Sequence, residues 1–331
     1  MAASASPRAE ARNILIIVAI VQFVIGGWFS WSASRAAPHD LPVLVVAGAP
    51  TVVDALREAA PGAYEIKEAA DEEAADRALR HREAYGAFVP RSGGEVDLRI
   101  ASAASPTVAQ TLIRQAGELT GKPVRVTDVV PADADDRHGA GAAMGFLPLL
   151  ITAVVAALLF VLKVAGGRAR LLGVVGFALA SGLVSSLGLT HVSGVLPGGY
   201  LANAAIVALL ELAMAGVITG LGSLIGPPGV AVGAVLMFVV GNPLSGMASA
   251  PEMLPQPLGT VGQFLPPGAA ATLFRSVGSF DGAGAGGPVL VLAIWSLIGL
   301  GLLYAGARRT APKPAPVTVS APLQAAARSS R

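Results

Sequence analysis

Long apolar stretches almost without charge constrain this chain more than any other feature. They run over 14–31, 144–164, 171–190, 200–225 and 288–307, and a sixth, 229–248, follows a Pro-Pro-Gly break. A helix needs about 20 apolar residues to cross a hydrocarbon core of roughly 30 Å, and buried helices of soluble proteins seldom sustain that length without charge. Six membrane spans are therefore expected. With 53% hydrophobic and only 13% charged residues, the composition excludes an ordinary soluble enzyme.

The charge sits between the first two stretches. Residues 35–137 hold 12 of the 23 Lys and Arg and 17 of the 21 Asp and Glu, a net charge of −5, which leaves +7 for the rest. The near-neutral total of +2 thus conceals two oppositely charged parts, and a nucleic-acid partner is not expected. LPVLVVAG, YEIKEAA, YGAFVP, EVDLRIASA and VRVTDVV read as strands, and TVVDALREAA, DEEAADRALRHREA and PTVAQTLIRQAGELTG read as helices. Residues 35–140 are accordingly expected to form a small α/β domain inserted between spans 1 and 2. The fold class is an α-helical polytopic membrane protein of six transmembrane helices carrying that domain on the extracytoplasmic side.

Orientation follows from Lys and Arg near the span ends. Arg8, Arg12, Lys163, Arg168, Arg170, Arg308 and Arg309 all fall on one side if the N-terminus is inside, whereas the segment HVSGVLPGG carries no Lys or Arg and 249–287 carries only Arg275. Both termini are then cytoplasmic, 1–13 as a short N-terminal piece and 308–331 as a disordered basic tail, in a bacterial-type plasma membrane. A cleaved signal peptide is the competing reading of 14–31, because small residues follow it in WSASRAA; the run is slightly long for one.

Chemistry-bearing motifs are sparse. The chain has no Cys, its four His lie scattered, and neither GAPT nor GELTGKP has the spacing of a nucleotide-binding loop, so no catalytic constellation, metal or cofactor is expected. Within the spans, Glu211 stands out: an acid near the middle of an apolar helix is costly and faces the bundle interior or a wet cavity. Asn203, further out on the same helix, joins it as a candidate lining of a substrate path. The same carboxyl could instead be a protonated glutamic acid bonded to Ser181, Ser185 or Ser186. Small residues four apart, such as Gly216 and Gly220, favour close helix packing. Asn242-Pro243 and Ser245-Gly246 break the fifth span, so 249–287 is expected to form a re-entrant outer cap ordered by Glu252 and Arg275. Arg168 and Arg170 are the candidate contacts for a cytoplasmic partner, against a purely topological role for their charge.

One span, an outer α/β domain and five further spans, together with NPLSG, PEMLPQPLG and FLPPGAAATLFRSVGSFDG before the last span, resemble the ABC-2 type transporter permeases, in particular the YhgE/Pip-like branch. That resemblance implies a dimer, either a homodimer or a heterodimer with a similar permease, working with a cytoplasmic ATPase subunit, and short re-entrant helices between the last two spans. The loop KVAGGRAR is short for an ATPase-coupling element, and MAASASPRAEARN leaves little room for an amphipathic elbow helix. The leading expectation is a permease-like subunit, not itself an enzyme, that exports a hydrophobic or amphipathic substrate. The alternatives are a non-transport anchor presenting an extracellular binding module and an ion-coupled carrier using Glu211.

Overall fold

The computed structural model describes residues 6–48, 50–91, 95–121 and 124–309. The tail expected to be disordered falls almost entirely outside the described residues. Helix α1 spans Pro7–Ser34, starting earlier than the apolar run because Ser6 caps it and Pro7 occupies its first turn, where a missing N–H costs nothing. Its packing is concentrated at the C-terminal end, where Trp28 Nε1 donates to the Val239 carbonyl at 2.9 Å and Phe29 meets Phe238. Phe23, by contrast, is 80% exposed.

Residues 41–128 build a five-stranded sheet from β1 (Leu41–Val46), β2 (Tyr64–Ala69), β3 (Gly86–Pro90), β4 (Val96–Ile100) and β5 (Arg125–Asp128). The strand order is β2-β1-β3-β4-β5, parallel except for the β3–β4 pair. Central β1 is buried on both faces, which is why it reads as a continuous apolar run rather than an alternation. Leu41, Val43 and Val45 pack with α2 (Pro50–Ala59) and α4 (Pro106–Thr120) through Leu56, Val108 and Leu112. Leu44 and Ala87 face α3 (Glu72–Arg80) through Ala75 and Leu79. Edge strand β2 is polar, with Lys67 and Glu65 paired at 3.1 Å, which discourages further strand pairing.

Five helices are long and apolar enough to cross a membrane: α1, α5 (Ala140–Lys163), α6 with its π-turn extension (Gly167–Val192), α7 (Tyr200–Ile225) and α11 (Gly286–Arg309). This is a helical, multi-pass membrane protein. Helix α7 is its axis: 72% of its most apolar stretch is buried, against 28% or less in the other four. Small residues bring its neighbours close. A Cβ on Gly182 of α6 would lie 2.5 Å from the Ala204 carbonyl, and one on Gly299 of α11 would lie 2.8 Å from the Gly216 backbone.

The expected span over 229–248 is shorter than the other five. Helix α8 (Pro227–Ala234) continues as a π-turn through Val235–Val240, so the helical part covers Pro227–Val240. At 1.5 Å per residue that is about 21 Å, short of the hydrocarbon thickness. It ends where Gly241-Asn242-Pro243 introduces a short 3₁₀ turn, Pro243–Ser245. The chain then passes through the turn Pro251–Met253, the five-residue α9 (Leu258–Gly262) and α10 (Pro266–Ser279) before α11.

Two glycines of α11 separate packing from propensity. Gly299→Val is expected to weaken the α7–α11 contact by about 1–3 kcal/mol. Gly301→Val, where a Cβ meets nothing within 4 Å, should leave the thermal midpoint in detergent nearly unchanged. Equal effects of the two variants would refute the close crossing.

Candidate functional site

Between Gly241 and Pro257 the backbone forms only two short 3₁₀ turns, and its carbonyls need donors from elsewhere. Arg275, on α10, supplies them. Its Nη2 donates to the carbonyls of Gly246 at 2.6 Å, Met247 at 2.8 Å and Ser249 at 3.2 Å. A planar guanidinium with five donors suits this task, which an ammonium would meet less well. Burial of that guanidinium, helped by the like charge of Arg82, pushes its pKa down to about 10, with Tyr85 and Glu252 opposing.

The sheet domain grips the same segment. Backbone N–H groups of Ala37 and His39 donate to the carbonyls of Met253 and Glu252, both at 2.9 Å, and Thr107 Oγ1 donates to Ala248 at 3.2 Å. Ala250 and Met253 are buried in one hydrophobic core of the sheet, beside Leu41 and Leu112, and Phe280 is buried in the other, beside Leu79. The two sheet cores are thus completed by residues roughly 200 positions away in sequence.

Charged and phenolic groups close the junction. Tyr85 donates its hydroxyl to Glu252 Oε2 at 2.8 Å. Burial and the neighbouring carboxylate hold that phenol protonated well beyond its ordinary range. Arg82 donates from Nη1 to the Thr272 carbonyl at 3.2 Å and to Ser276 Oγ, and stands 5.5 Å over the Phe280 ring. Its Nε is buried without a hydrogen-bond partner. Burial pulls the Arg82 pKa downward, with Tyr85 and Glu252 opposing. Among the described residues, no ion pair joins Arg82 or Arg275 to Glu252, so two guanidinium groups share the surroundings of one carboxylate without a direct salt bridge.

Arg82 also occupies an unusual backbone position. His81 caps α3, the Glu83 N–H returns to the Ala78 carbonyl at 2.9 Å and the Arg82 N–H to Leu79 at 3.1 Å, the double bond pattern of a left-handed helix end. Arg82 has φ +60° there, where glycine is usual and another residue costs about 1–2 kcal/mol. A residue held in this state by its surroundings marks a place where the side chain matters.

The expected site residues fall into three places. Glu252 and Arg275 are both at this junction, although neither bonds the other. Glu211 and Asn203 lie inside the helical bundle and are fully buried. Glu211 Oε1 accepts from Ser181 Oγ at 3.2 Å and stands 3.5 Å from Thr152 Oγ1, whereas its Oε2 has no partner. Asn203 Nδ2 donates to Thr190 Oγ1 at 3.0 Å and to the Pro197 carbonyl at 3.1 Å, and its Oδ1 is likewise unpartnered. Eight residues of helix, about 12 Å, separate the two. Arg168 is exposed, while Arg170 is committed to the fold: its Nε and Nη2 donate to Val164 and Val161 carbonyls at 2.9 Å each and its Nη1 to Ser223 Oγ at 3.1 Å. Arg82 and Tyr85 were not singled out in the sequence, because nothing local distinguishes them from other surface residues of a helix end and a strand start.

Compared with protein-family models, with curated proteins and with solved structures, the chain matches none.

Two expectations follow from these contacts. A phenol whose folded pKa is raised contributes stability that is complete below its unfolded pKa near 10 and is lost as pH rises beyond it. Tyr64, raised by burial to about 12, acts in the same window. Tyr85→Phe should therefore cost about 1–3 kcal/mol at neutral pH and reduce the alkaline fall of the thermal midpoint above pH 10, and an unchanged alkaline slope would refute the Tyr85 assignment. In the bundle, Glu211→Gln keeps an acceptor for Ser181 and should fold normally, whereas Glu211→Ala should lose about 2 kcal/mol or more by thermal unfolding.

Proposed function

We propose that this chain is a permease-like subunit of an ABC-2 type exporter, moving a hydrophobic or amphipathic substrate across a bacterial-type plasma membrane with a separate ATPase. In this reading the chain crosses the membrane six times. The helical part Pro227–Val240 and the broken segment after it make up the fifth crossing, and the sheet domain lies on the extracytoplasmic side. Both termini are then cytoplasmic.

The observation that carries the reading is the interlock between the sheet domain and the segment 246–280. A binding module that merely needed anchoring would be served by α1 alone. Here the domain shares both of its cores with the segment between the last two membrane helices, so a displacement of α10 or α11 would be transmitted to it. Such coupling suits a machine whose inner and outer faces move together. Charge placement supports the orientation, since Lys163, Arg168 and Arg170 flank the α5–α6 turn and Arg308 and Arg309 end α11, all at the end opposite the sheet domain. That end is tightly drawn together, as a Cβ on Gly167 would collide with Ala307.

A partner ATPase would meet Arg168, because Arg170 is occupied by Val161, Val164 and Ser223. Purification of the tagged chain from its native membrane in mild detergent should recover a Walker-motif ATPase in stoichiometric amount. Arg168→Glu should reduce that recovery several-fold without lowering the thermal midpoint, whereas Arg170→Ala should lower the midpoint as well. Recovery of envelope proteins with no ATPase would overturn the exporter reading in favour of an anchored module.

The unpartnered Oε2 of Glu211 favours a second reading, an ion-coupled carrier in which that carboxyl takes up a proton. Flux retained in Glu211→Gln would remove it.

A further inference from the structure

Below the junction, facing the flank of α11, lies a cleft of about 530 Å³. One wall is polar and includes Arg82, Glu252 and Gln263; the other is made by Phe264, Leu290 and Val291. Phe264 is 64% and Leu290 61% exposed, so the apolar wall opens sideways from the protein and not into its interior. Leu290 is the fifth residue of α11, which places the rim of the cleft near the start of a helix long and apolar enough to cross a membrane.

We infer that this cleft holds one membrane amphiphile, its phosphate or carboxylate head against Arg82 and its hydrocarbon tail along Phe264 and Leu290. Three observations converge on it. First, Arg82 has no acidic ion-pair partner among the described residues, and its Nε is buried and unsatisfied. Its Nη1 bonds only neutral oxygens, the Thr272 carbonyl and the Ser276 hydroxyl, so an oxyanion in the cleft would supply the missing bonded counter-ion with charge-assisted bonds. Second, the chain keeps Arg82 at φ +60°, a backbone state that glycine would occupy without strain. The position is therefore held by what the side chain does. Third, Glu252, the one acid on this wall among the described residues, accepts from Tyr85 and makes no direct bond to Arg82, so it acts on that guanidinium only across space and leaves it without a bonded counter-ion. A polar head site continuous with an exposed apolar wall matches a molecule that has both parts, and a small free anion would use only the first. The inference does not rest on transport and holds for an anchored module equally.

The test uses the full-length chain in detergent micelles, delipidated and without any ATPase. Retention of phosphatidylglycerol, of neutral diacylglycerol with the same chains, and of inorganic phosphate would be compared by native mass spectrometry. Phosphatidylglycerol should bind at one per chain, at least about tenfold more tightly than diacylglycerol, and free phosphate should compete weakly. Arg82→Gly removes the cation while relieving the backbone, and should abolish the preference for the charged head. Because Arg82 also bonds α10, a second variant, Leu290→Trp, fills the apolar wall and leaves the junction intact; it should weaken phosphatidylglycerol by a similar factor at an unchanged thermal midpoint. Equal retention of diacylglycerol, binding of phosphate as tight as that of the lipid, or indifference to both variants would each overturn the inference. Since no flux or ATPase is measured, its failure is separate from failure of the exporter reading.

Discussion

A peptide carbonyl that leaves a helix in the interior of a fold must find a donor within the protein. Between Gly241 and Pro257 the chain forms only short 3₁₀ turns, and the donors come from Arg275 and from the backbone of residues 37 and 39. Much of the architecture follows from this requirement. The segment cannot stand alone, so the sheet domain must sit on it; the domain in turn leaves gaps in its cores that Ala250, Met253 and Phe280 fill. Membrane helices and sheet are thus one folding problem, joined at a surface where neither part is satisfied without the other.

The bundle has a different logic. Lipid offers no hydrophobic gain for helix association, so contact depends on how closely backbones can approach. Gly182 against Ala204 and Gly299 against Gly216 allow α6 and α11 to lie directly on α7, which buries that helix far more than its neighbours. That burial gives Glu211 its meaning, since a carboxyl on an exposed helix would face lipid, whereas here it meets Ser181 between two helices. Of the other serines considered as its partners, Ser185 is half-buried and Ser186, fully buried, has its hydroxyl unpartnered.

Much of the local structure was legible in the sequence. The five strand-like runs between residues 41 and 130 all contain strands, and the apolar stretches other than 229–248 each fall within a long helix. The start of α1 was placed too late, because the apolar run begins at Ile14 while the cap lies at Ser6, in a polar stretch that composition alone does not mark as helical. For 229–248 the break expected at Asn242-Pro243 and Ser245-Gly246 was legible, and the helical part ends at Val240, just before it. Glu252 and Arg275 stood out as rare charges in an apolar loop, yet Tyr85, which bonds Glu252, and its neighbour Arg82 did not, since they lie in a charged domain where another Arg and Tyr carry no signal.

The sequence by itself determined which segments are apolar enough for lipid, where strands and helices alternate, and which charges are anomalous, because hydrophobic length and periodicity are local properties. Only the tertiary structure decided that α7 is the axis, that Arg170 is spent on the α5–α6 turn while Arg168 is exposed, and that Arg82 lines a cleft with an apolar wall. Those outcomes depend on backbone approach distances and on bonds between residues as far apart as Ala37 and Met253, which no window of sequence contains.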